Sequence, residues 1–318
     1  MAQNCNIYDE RSLEEAARII LDGGIVAIPT ETVYGLAANA LNPDAVRKIF
    51  TAKGRPFIDP LICHVPDFES LEKIAVANAS ARRLAEAFSP GPLTFVLPKR
   101  PKVPDIVSAG MPTVAVRIPK HPMMRKFLKL VGVPLSAPSA NPFGYVSPTR
   151  AEHVAAQLGG RVDMILDGGP CECGVESTIV MLTDEKRPTL LRPGPVSRAE
   201  IESALGLEVA NPKDKNPAHP EAPGMLKSHY SPHARLSLFE TRPQAVEGAA
   251  TVYFKRPQSP AENEFWLSES GDPAEAARNL FDLIRKLDAK YGMIFCQRLP
   301  NDGVGEAVND RLGRAANK

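Results

Sequence analysis

A short apolar run near the start of the chain restricts its fold more than any other feature. Residues 25 to 28 are all apolar, Gly23-Gly24 precedes them and Pro29 ends them, which is the pattern of a buried strand. A dense set of polar side chains follows at once, before Gly35: Thr30, Glu31, Thr32 and Tyr34. Because ligands of open α/β sheets bind beyond the carboxyl ends of such strands, this polar turn is predicted to face a small polar ligand.

Strands and helices are predicted to alternate over most of the following sequence. Further strands are predicted at 61–65, 93–97, 114–118, 133–135, 164–166, 177–182 and 189–191, with helices near 80–88 and 121–130. Helix starts are indicated by Asn42-Pro43 and by three capping-box patterns, which are Ser12 with Glu15, Thr149 with Glu152, and Ser197 with Glu200. Because alternation is mixed with adjacent strand pairs, an α/β protein of the α+β type with a twisted mixed sheet is expected.

The chain is predicted to contain two domains joined by a linker. Residues 1–205 carry the first alternating pattern, whereas residues 206–234 are rich in proline and have no periodicity. Residues 235–318 resume with short strands and an amphipathic helix that begins at Asp272-Pro273, which predicts a small α/β domain.

Composition favours a protein of the cytoplasm and argues against two other classes. Five cysteines among 318 residues form no disulfide framework, so reduced thiols are expected. No secretory leader or membrane-spanning run is evident, so a membrane role is not expected. The formal net charge is only +1, but residues 82–129 contain many cations and few anions. That segment is either a solvated surface or a patch that faces phosphates.

The polar residues at the predicted strand ends suit phosphoryl or nucleotidyl transfer. No Walker A loop, nucleophile elbow or zinc-helix motif is present, and the spacing of Cys171, Cys173, His229 and His233 matches no common zinc pattern. What remains is a set of cations and hydroxyls: Lys53, Arg55, Thr113, Arg117, residues 136–141, Ser147, Ser177, Thr178 and Arg192. Phosphoryl transfer needs such donors to hold and neutralise anions, although any one of them alone is explained as well by a surface salt bridge.

Several segments, taken in order, resemble the YrdC-like threonylcarbamoyl-AMP synthase family. They are PTETVYGL, KGRP with a following PL and His64, SAPSANPFG, GPCECGVESTIV and LRPG, and together they cover about residues 10–205. Lys53, Arg55, Ser139 and Asn141 match the K-x-R and S-x-N signature of that family. PGMLKSHYSP at 223–232 resembles the linker of its long form, in which a small C-terminal domain follows. The resemblance implies a YrdC-like twisted mixed open sheet and a small Rossmann-like C-terminal domain.

The resemblance also implies a reaction and a set of site residues. L-threonine, bicarbonate and ATP with Mg²⁺ would give threonylcarbamoyl-AMP and pyrophosphate, for the threonylcarbamoyladenosine modification of tRNA. Threonine would be held by Thr32, Tyr34, His64, Arg117, Ala137 through its backbone, and Ser177. ATP would be held by Arg55, Asp59, Thr113, Ser139, Ser147, Arg192 and Tyr230. The catalytic residues would be Lys53, Arg55 and Asn141, placed near the triphosphate and bicarbonate.

The implied partners extend beyond the small substrates. The Mg²⁺ ion would be held mainly by ATP rather than by protein side chains. The product would be handed to a tRNA threonylcarbamoyl transferase complex, and the resemblance also allows a weak or transient contact with tRNA.

Two segments depart from the pattern of the family. Members usually have Asn where this chain has Asp59, and a carboxylate there is expected to meet a ribose hydroxyl or a metal rather than a phosphate. The linker has Leu226, Lys227 and Ser228 where basic and aromatic residues are commoner.

Other interpretations of the same residues stay open at this point. A double-stranded-RNA or tRNA-binding module without catalysis would explain the basic bias of residues 82–129. Carbamoyl transfer of the hydrogenase-maturation kind would require acylphosphatase and zinc-finger modules, which the sequence does not display. Thr32 suits a local backbone contact as well as a substrate contact, and Tyr34 suits ordinary core packing as well as a pocket wall.

Overall fold

The computed structural model describes residues 7–212, 222–224, 229–241, 243–244 and 246–317. Its strands are β1 Ile7–Tyr8, β2 Val26–Ile28, β3 Gly35–Asn39, β4 Ile62–His64, β5 Leu93–Pro98, β6 Thr113–Arg117, β7 Leu135–Ser136, β8 Met164–Leu166, β9 Thr178–Met181, β10 Thr189–Arg192, β11 Arg235–Phe239, β12 Ala249–Lys255, β13 Glu264–Ser268 and β14 Met293–Gln297. Its α-helices are α1 Leu13–Leu21, α2 Pro43–Lys53, α3 Phe68–Glu72, α4 Ala79–Phe88, α5 Asp105–Ser108, α6 Pro122–Val131, α7 Ala151–Leu158, α8 Arg198–Leu205, α9 Pro273–Asp288 and α10 Val304–Ala316. Short 3-10 helices occupy Glu10–Ser12 and Gly159–Arg161.

The N-terminal part is built on one mixed sheet of ten strands. Their order across the sheet is β1-β8-β2-β3-β7-β4-β6-β5-β9-β10. Four neighbouring pairs, such as β4 with β6 and β5 with β9, run parallel, and the remaining five run antiparallel. The predicted fold class, a twisted mixed sheet with helices, is confirmed.

The two faces of the central strands pack into two separate apolar clusters. On one face Cys63, Phe95, Val116 and Val180 belong to the largest apolar cluster, which includes residues of α2 and α4. On the other face a smaller cluster contains Ile62, Val96, Ala115, Ile179 and Leu191. Ala222 of the linker covers this second cluster. The linker therefore lies over the face that carries the polar strand ends.

The C-terminal part has its own sheet of four parallel strands. Their order is β11-β14-β12-β13, and α9 and α10 pack against them. The predicted small Rossmann-like domain is confirmed.

The two sheets are joined by shared apolar packing. Val33, Val146 and Val175 of the N-terminal part belong to the same cluster as residues of α9 and α10. Tyr230 of the linker is buried in that cluster as well. The departures predicted at Leu226, Lys227 and Ser228 lie outside the described residues.

One strand that was not predicted and four predicted helix starts need comment. The strand β3 was not expected, because its sequence GLAAN is made of small residues with little preference for strands. The capping box at Ser197 and Glu200 is confirmed, and Asn42 caps α2 before its N1 proline. The boxes predicted at Ser12 and Thr149 are wrong.

Local geometry explains why the two capping boxes fail. At Ser12 the chain arrives from a 3-10 turn with ψ near 10°, so the hydroxyl accepts no bond from the helix. The N-cap of α7 is Arg150, which makes no side-chain cap bond, and the Thr149 backbone NH donates to His153 Nδ1 instead.

The sequence led us to expect neither disulfide bonds nor membrane-spanning helices, and the described residues can be examined for both. Cys63, Cys171, Cys173 and Cys296 all have free thiols there. None of the described helices is long and apolar enough to cross a membrane.

The contrast between the two serines gives a stability prediction. Replacing Ser197 with Ala removes the two bonds of its hydroxyl, to the Glu200 carboxylate and from the Glu200 backbone NH, so the free energy of unfolding should fall by about 1 kcal/mol. Replacing Ser12 with Ala removes no cap bond and should cost a few tenths of that amount at most. Urea unfolding followed by circular dichroism measures both. Equal losses in the two variants would contradict the assignment of the caps.

Candidate active site

The polar strand ends border one cavity beneath the linker. Its free space, counting the open mouth, is about 530 Å³. The residues that line it come from the N-terminal part and from the linker: Thr30, Thr32, Val33, Gly35, Arg55, Ile62, His64, Arg117, Ala137, Pro138, Ser139, Glu176, Ser177, Arg192, Pro223, Gly224, His229 and Tyr230. The linker residues at the end of that series form the cover.

Strand register places three residues that line the cavity, His64, Arg117 and Arg192, in one row across the sheet. His64 is paired with Arg117, Arg117 with Thr94, Thr94 with Ile179, and Ile179 with Arg192. Paired residues point to the same face of a sheet, so these five form one row across five strands. Because strands lie about 4.8 Å apart, Arg117 and Arg192 are roughly 14 Å apart along this row. The cavity therefore has two separate cationic ends.

The first end combines an arginine with hydroxyls and a carboxylate. Arg117 Nη1 donates to Thr32 Oγ1 at 2.9 Å, and its Nε donates to the Gly91 carbonyl at 3.2 Å. Arg117 Nη2 lies 2.6 Å from Glu31 Oε1, but the pair lacks the angular geometry of a hydrogen bond. Thr30 Oγ1 lies 2.8 Å from Thr32 Oγ1 and donates to the Val33 carbonyl, which fixes the turn. The Arg117 guanidinium lines the cavity here, with Glu31 as its counterion.

Burial and charge set the protonation states at this end. Burial raises the pKa of Glu31, but Arg117 more than offsets that effect, so the pKa is lowered and the carboxylate is ionised. Burial, with help from Arg117, lowers the pKa of His64 to about 3. Its imidazole is therefore neutral, and its Nδ1 has no hydrogen-bond partner among the described residues. This end offers one guanidinium and one neutral ring to a ligand.

The second end is a buried cluster of cations. Arg55 Nη2 lies 2.9 Å from Asp59 Oδ2, and the two side chains are 3% and 0% exposed. Lys53 Nζ donates to the carbonyls of Ser139 and Asn141, both at 2.5 Å. Arg192 donates to the Ser177 carbonyl and hydroxyl and to the Pro223 carbonyl. Arg55 also donates to the carbonyls of Asp59 and Pro60, so backbone carbonyls are acceptors for all three cations.

A count of charges shows what the second end lacks. Arg55 and Arg117 have Asp59 and Glu31 as ion-pair partners. Among the described residues no carboxylate lies within the ion-pair distance of Lys53 or Arg192, which are both buried. Burial lowers the pKa of Lys53 well below its usual value, and Arg55 lowers it further. Because buried charges without partners are costly, the cluster is suited to a polyanionic ligand.

Ser139 and Ala137 reach the cavity because two backbones approach closely. A Cβ on Gly35 would lie 3.2 Å from the Ala137 Cβ, so a larger residue would push the segments apart. Gly35 forms a bridge with Ser139, and the Ala137 backbone NH donates to the Ile62 carbonyl. The 136–141 segment is thereby held against the strand ends.

Some of the predicted site residues do not line the cavity. Lys53, Asn141 and Asp59 lie behind its wall, where the Asn141 amide donates to the carbonyls of Pro142 and Tyr145. Thr113 begins β6 and is four residues before Arg117, about 13 Å away along the strand. The Ser147 hydroxyl donates to Glu176 Oε1 at 2.5 Å and is fully buried.

Tyr34 needs a correction. Its side chain is fully buried and packs in the main apolar cluster, and its hydroxyl donates to the Gly169 carbonyl at 2.8 Å. The ring therefore faces the core and forms no part of the cavity wall. Thr32 and Tyr34 lie in the irregular turn between β2 and β3, so strand alternation does not set the directions of their side chains.

Asp59 also differs from its expected role. It was expected to meet a ribose hydroxyl or a metal, but its carboxylate is fully buried beside Arg55. Burial raises the pKa of Asp59, and Arg55 and Lys53 oppose that rise. Here the carboxylate serves as a counterion within the cation cluster.

Three polar or ionisable residues that line the cavity, Thr30, Glu176 and His229, were missing from the predicted site, and so was Glu31 beside it. Thr30 and Glu31 belong to the polar turn that the sequence had marked, and Glu176 precedes Ser177 in a motif already quoted. His229 lies in the linker motif, and its ring meets Tyr230 at 4.2 Å. Local sequence signals existed for all four.

Among the described residues no group of three His, Cys, Asp or Glu side chains is arranged to hold a metal ion.

Comparison with known proteins places this geometry in a family. A family model described as "Telomere recombination" matches residues 18–194, and one described as "Threonylcarbamoyl-AMP synthase, C-terminal domain" matches residues 196–317. A Bacillus subtilis protein called threonylcarbamoyl-AMP synthase is 38% identical, over 97% of this chain and 94% of its own. One of the same name from Pyrococcus abyssi is 41% identical, over 97% and 95%.

A solved structure agrees with these matches over nearly the whole chain. The crystal structure of P. abyssi Sua5 complexed with L-threonine has a TM-score of 0.90 and 39% identity to this chain. The likeness covers 98% of this chain and 97% of that one. It therefore includes both sheets and their packing.

The counterion role of Asp59 can be tested. Replacing Asp59 with Asn keeps the shape of the side chain but makes the cluster more positive. The free energy of unfolding should therefore fall by about 1–3 kcal/mol. Inorganic pyrophosphate should bind about tenfold more tightly, because Arg55 no longer has a competing anion. Calorimetric titration and denaturant unfolding measure the two effects.

A matched control separates the local effect from net charge. Asp302 is exposed in the C-terminal part, and replacing it with Asn changes the net charge equally. It should alter neither quantity. Pyrophosphate affinity that is unchanged or weaker in the Asp59 variant would refute the counterion role.

Proposed function

Since the chain belongs to the threonylcarbamoyl-AMP synthase family, in the form with an additional C-terminal domain, we propose that it makes threonylcarbamoyl-AMP. Its substrates are L-threonine, bicarbonate and ATP with Mg²⁺, and pyrophosphate is the second product. The product serves the threonylcarbamoyladenosine modification of tRNA.

The observation that carries this proposal is the presence of two cationic ends in one cavity. Arg117, with hydroxyls around it, suits the carboxylate and hydroxyl of an amino acid. Arg55 and Arg192 line the other end, with Lys53 behind them, and these cations suit a polyphosphate. A reaction that joins an amino-acid derivative to a nucleotide needs both in one continuous space. The likeness to a structure complexed with L-threonine supports the first assignment.

We assign the threonine substrate to the Arg117 end. The Arg117 guanidinium lines the cavity and can bind the carboxylate, and the hydroxyls of Thr32 and Ser177 are near enough to bind polar groups. The neutral ring of His64 adds no positive charge beside the amine. The amine can then lose its proton and react as a nucleophile. The Ala137 backbone completes this end.

We assign ATP to the cluster of Lys53, Arg55 and Arg192. Arg55 and Arg192 line the cavity and present guanidinium groups that can fork onto phosphates. Ser139 and Tyr230 line the same region. Glu31, Asp59 and Glu176 are each engaged by an arginine, so the described residues offer no free carboxylate set for a metal. Mg²⁺ is therefore treated as part of the Mg-ATP substrate.

The chemistry requires no protein nucleophile. The threonine amine takes up bicarbonate to form a carbamate, and one water is released. A carbamate oxygen then attacks the α-phosphorus of ATP, a new P–O bond forms, and the bond to the β-phosphate oxygen breaks as pyrophosphate leaves. Arg55, Arg192 and Lys53 stabilise the negative charge that builds on the phosphates.

The main alternative, an RNA-binding module without catalysis, is not favoured. The relatives that match over nearly the whole chain are called threonylcarbamoyl-AMP synthase. The strongest cation cluster is buried, whereas binding to a nucleic-acid backbone needs exposed cations. Hand-over of the product to a tRNA threonylcarbamoyl transferase complex, and transient contact with tRNA, stay predictions.

The function is tested by a radiolabelled threonine assay with bicarbonate and Mg-ATP. The protein should release pyrophosphate and form a labelled AMP adduct only when threonine is present. Replacing Arg117 with Lys keeps the charge but removes the fork, so KM for threonine should rise about 10- to 100-fold while ATP binding is kept.

The control for this variant is the same change at an exposed position. Arg82 pairs with Glu72 on the surface, so Arg82→Lys should leave KM unchanged. Pyrophosphate released equally without threonine would refute the enzyme assignment. A normal KM in the Arg117 variant would refute only the threonine assignment.

The lowered pKa of Lys53 predicts a pH effect on nucleotide binding. A triphosphate near Lys53 should raise that pKa again, so binding takes up a proton and affinity falls as pH rises. Replacing Lys53 with Gln keeps an NH donor that does not titrate, and it should flatten this dependence. Calorimetric titration of Mg-ATP at alkaline pH, where ATP is fully ionised, measures the slope. The same slope in both proteins would exclude Lys53 as its source.

A further inference from the structure

Arg311 is a buried charge that belongs to one domain and bonds to the other. It lies in α10, and its side chain is 0% exposed. Its Nε donates to Glu176 Oε2 at 2.8 Å, and its Nη2 donates to the Glu176 carbonyl at 3.4 Å. Its Nη1 donates to Asp310 at 2.8 Å, and Asp310 also pairs with Arg314. The C-terminal domain therefore places a guanidinium at the edge of the active-site cavity.

The residue that Arg311 holds lines the cavity itself. Glu176 is 6% exposed, and its second oxygen accepts the Ser147 hydroxyl at 2.5 Å. The next residue, Ser177, receives a bond from Arg192, which belongs to the cation cluster. A free carboxylate at this place would repel the phosphates of a nucleotide. Arg311 neutralises that carboxylate and fixes where its oxygens lie.

Arg311 also contacts the cover of the cavity. Its guanidinium carbon lies 5.4 Å from the centre of the Tyr230 ring, within the range of a cation–π contact. Phe281 of α9 stacks on the same ring at 5.7 Å. Tyr230 has φ of 64°, a backbone conformation that is rare for residues other than glycine. Such a conformation persists only where neighbouring groups enforce it, and two of those groups come from the C-terminal domain.

A second set of contacts fastens the segment that carries Ser147. Arg285 of α9 donates to the Val146 carbonyl and, at 3.1 Å, to Gln157 Oε1. The Tyr145 hydroxyl donates to Asp288 at 2.5 Å. The Ser147 side of Glu176 is thus held by α9 while its other side is held by α10.

From these contacts we infer that Arg311 is a positioning residue for the nucleotide end of the cavity. It keeps Glu176 neutralised with its oxygens fixed, and it holds the Tyr230 ring against the cavity. The C-terminal domain thereby completes a site whose floor belongs entirely to the other sheet. The inference rests on the proposed function, because it assigns that end of the cavity to a nucleotide.

Three variants test this role, because they are expected to change ATP binding in opposite directions. Replacing Arg311 with Met leaves Glu176 unneutralised, so ATP binding should weaken and KM for ATP should rise about 10- to 100-fold, with KM for threonine changed less than about twofold. Replacing Glu176 with Gln should leave ATP binding as tight as in the parent or tighter. Adding that change to the Arg311 variant should restore most of the lost ATP affinity. A residue needed only for folding would show neither the split between the two KM values nor the rescue.

The control makes the same chemical change on the surface of the same domain. Arg298 is exposed, and Arg298→Met should match the parent protein. Equal KM values for ATP in the Arg311 and Arg298 variants would overturn the inference. If the Arg311 variant does not fold, the Glu176→Gln variant decides alone, and weaker ATP binding in it would overturn the inference.

ATP titration without turnover keeps this test separate from the proposed function. A parent protein that binds ATP but releases no threonine-dependent pyrophosphate would refute the function, while the ATP affinities of the variants would still judge Arg311. Normal turnover with equal ATP affinity in the Arg311 and Arg298 variants would refute only the inference.

Discussion

Five cationic side chains are held out of water around one cavity, and the surrounding structure is arranged to make their burial tolerable. They are Lys53, Arg55, Arg117, Arg192 and Arg311. Three have a carboxylate beside them, and the other two donate to backbone carbonyls of the 139–141 segment, the 177 position and the linker. In a site shielded from water each cation acts more strongly on a phosphate than it would at the surface. The linker and the C-terminal domain are therefore part of the electrostatics of the site.

The sheet determines how precisely those charges are placed. Arg117 and Arg192 stand on strands whose neighbours fix them through backbone pairing, with three strand spacings between them. Lys53 and Arg55 stand at the end of a helix, and the bonds from Lys53 to two carbonyls tie that helix end to the 139–141 segment. Groups on such rigid elements lose little freedom when a ligand binds, so more of the interaction appears as stabilisation of the transition state.

Local sequence patterns predicted most of the strands, several helix ends and the residues at both cationic ends, because strand and helix signals lie within a few residues of one another. Other features depend on pairing between distant parts of the chain. Glu176 and Arg311 are 135 residues apart, and nothing near either one indicates the other. The failure at Tyr34 has a different origin, since a polar turn shows which residues cluster but not which side each one faces. The sequence of β3 gave no strand signal. Its place in the sheet is set by its pairing with β2 and β7.

Asp59 illustrates how the empty site and the occupied site make opposite demands. A carboxylate beside Arg55 stabilises the cluster when no anion is bound, because a buried guanidinium without any counterion is costly. The same carboxylate competes with a phosphate for that guanidinium, so each binding event must loosen an existing ion pair. An amide at this position would favour the bound state and weaken the empty one. An enzyme that must release pyrophosphate after every turnover gains from the weaker hold, since product that stays bound slows the next cycle.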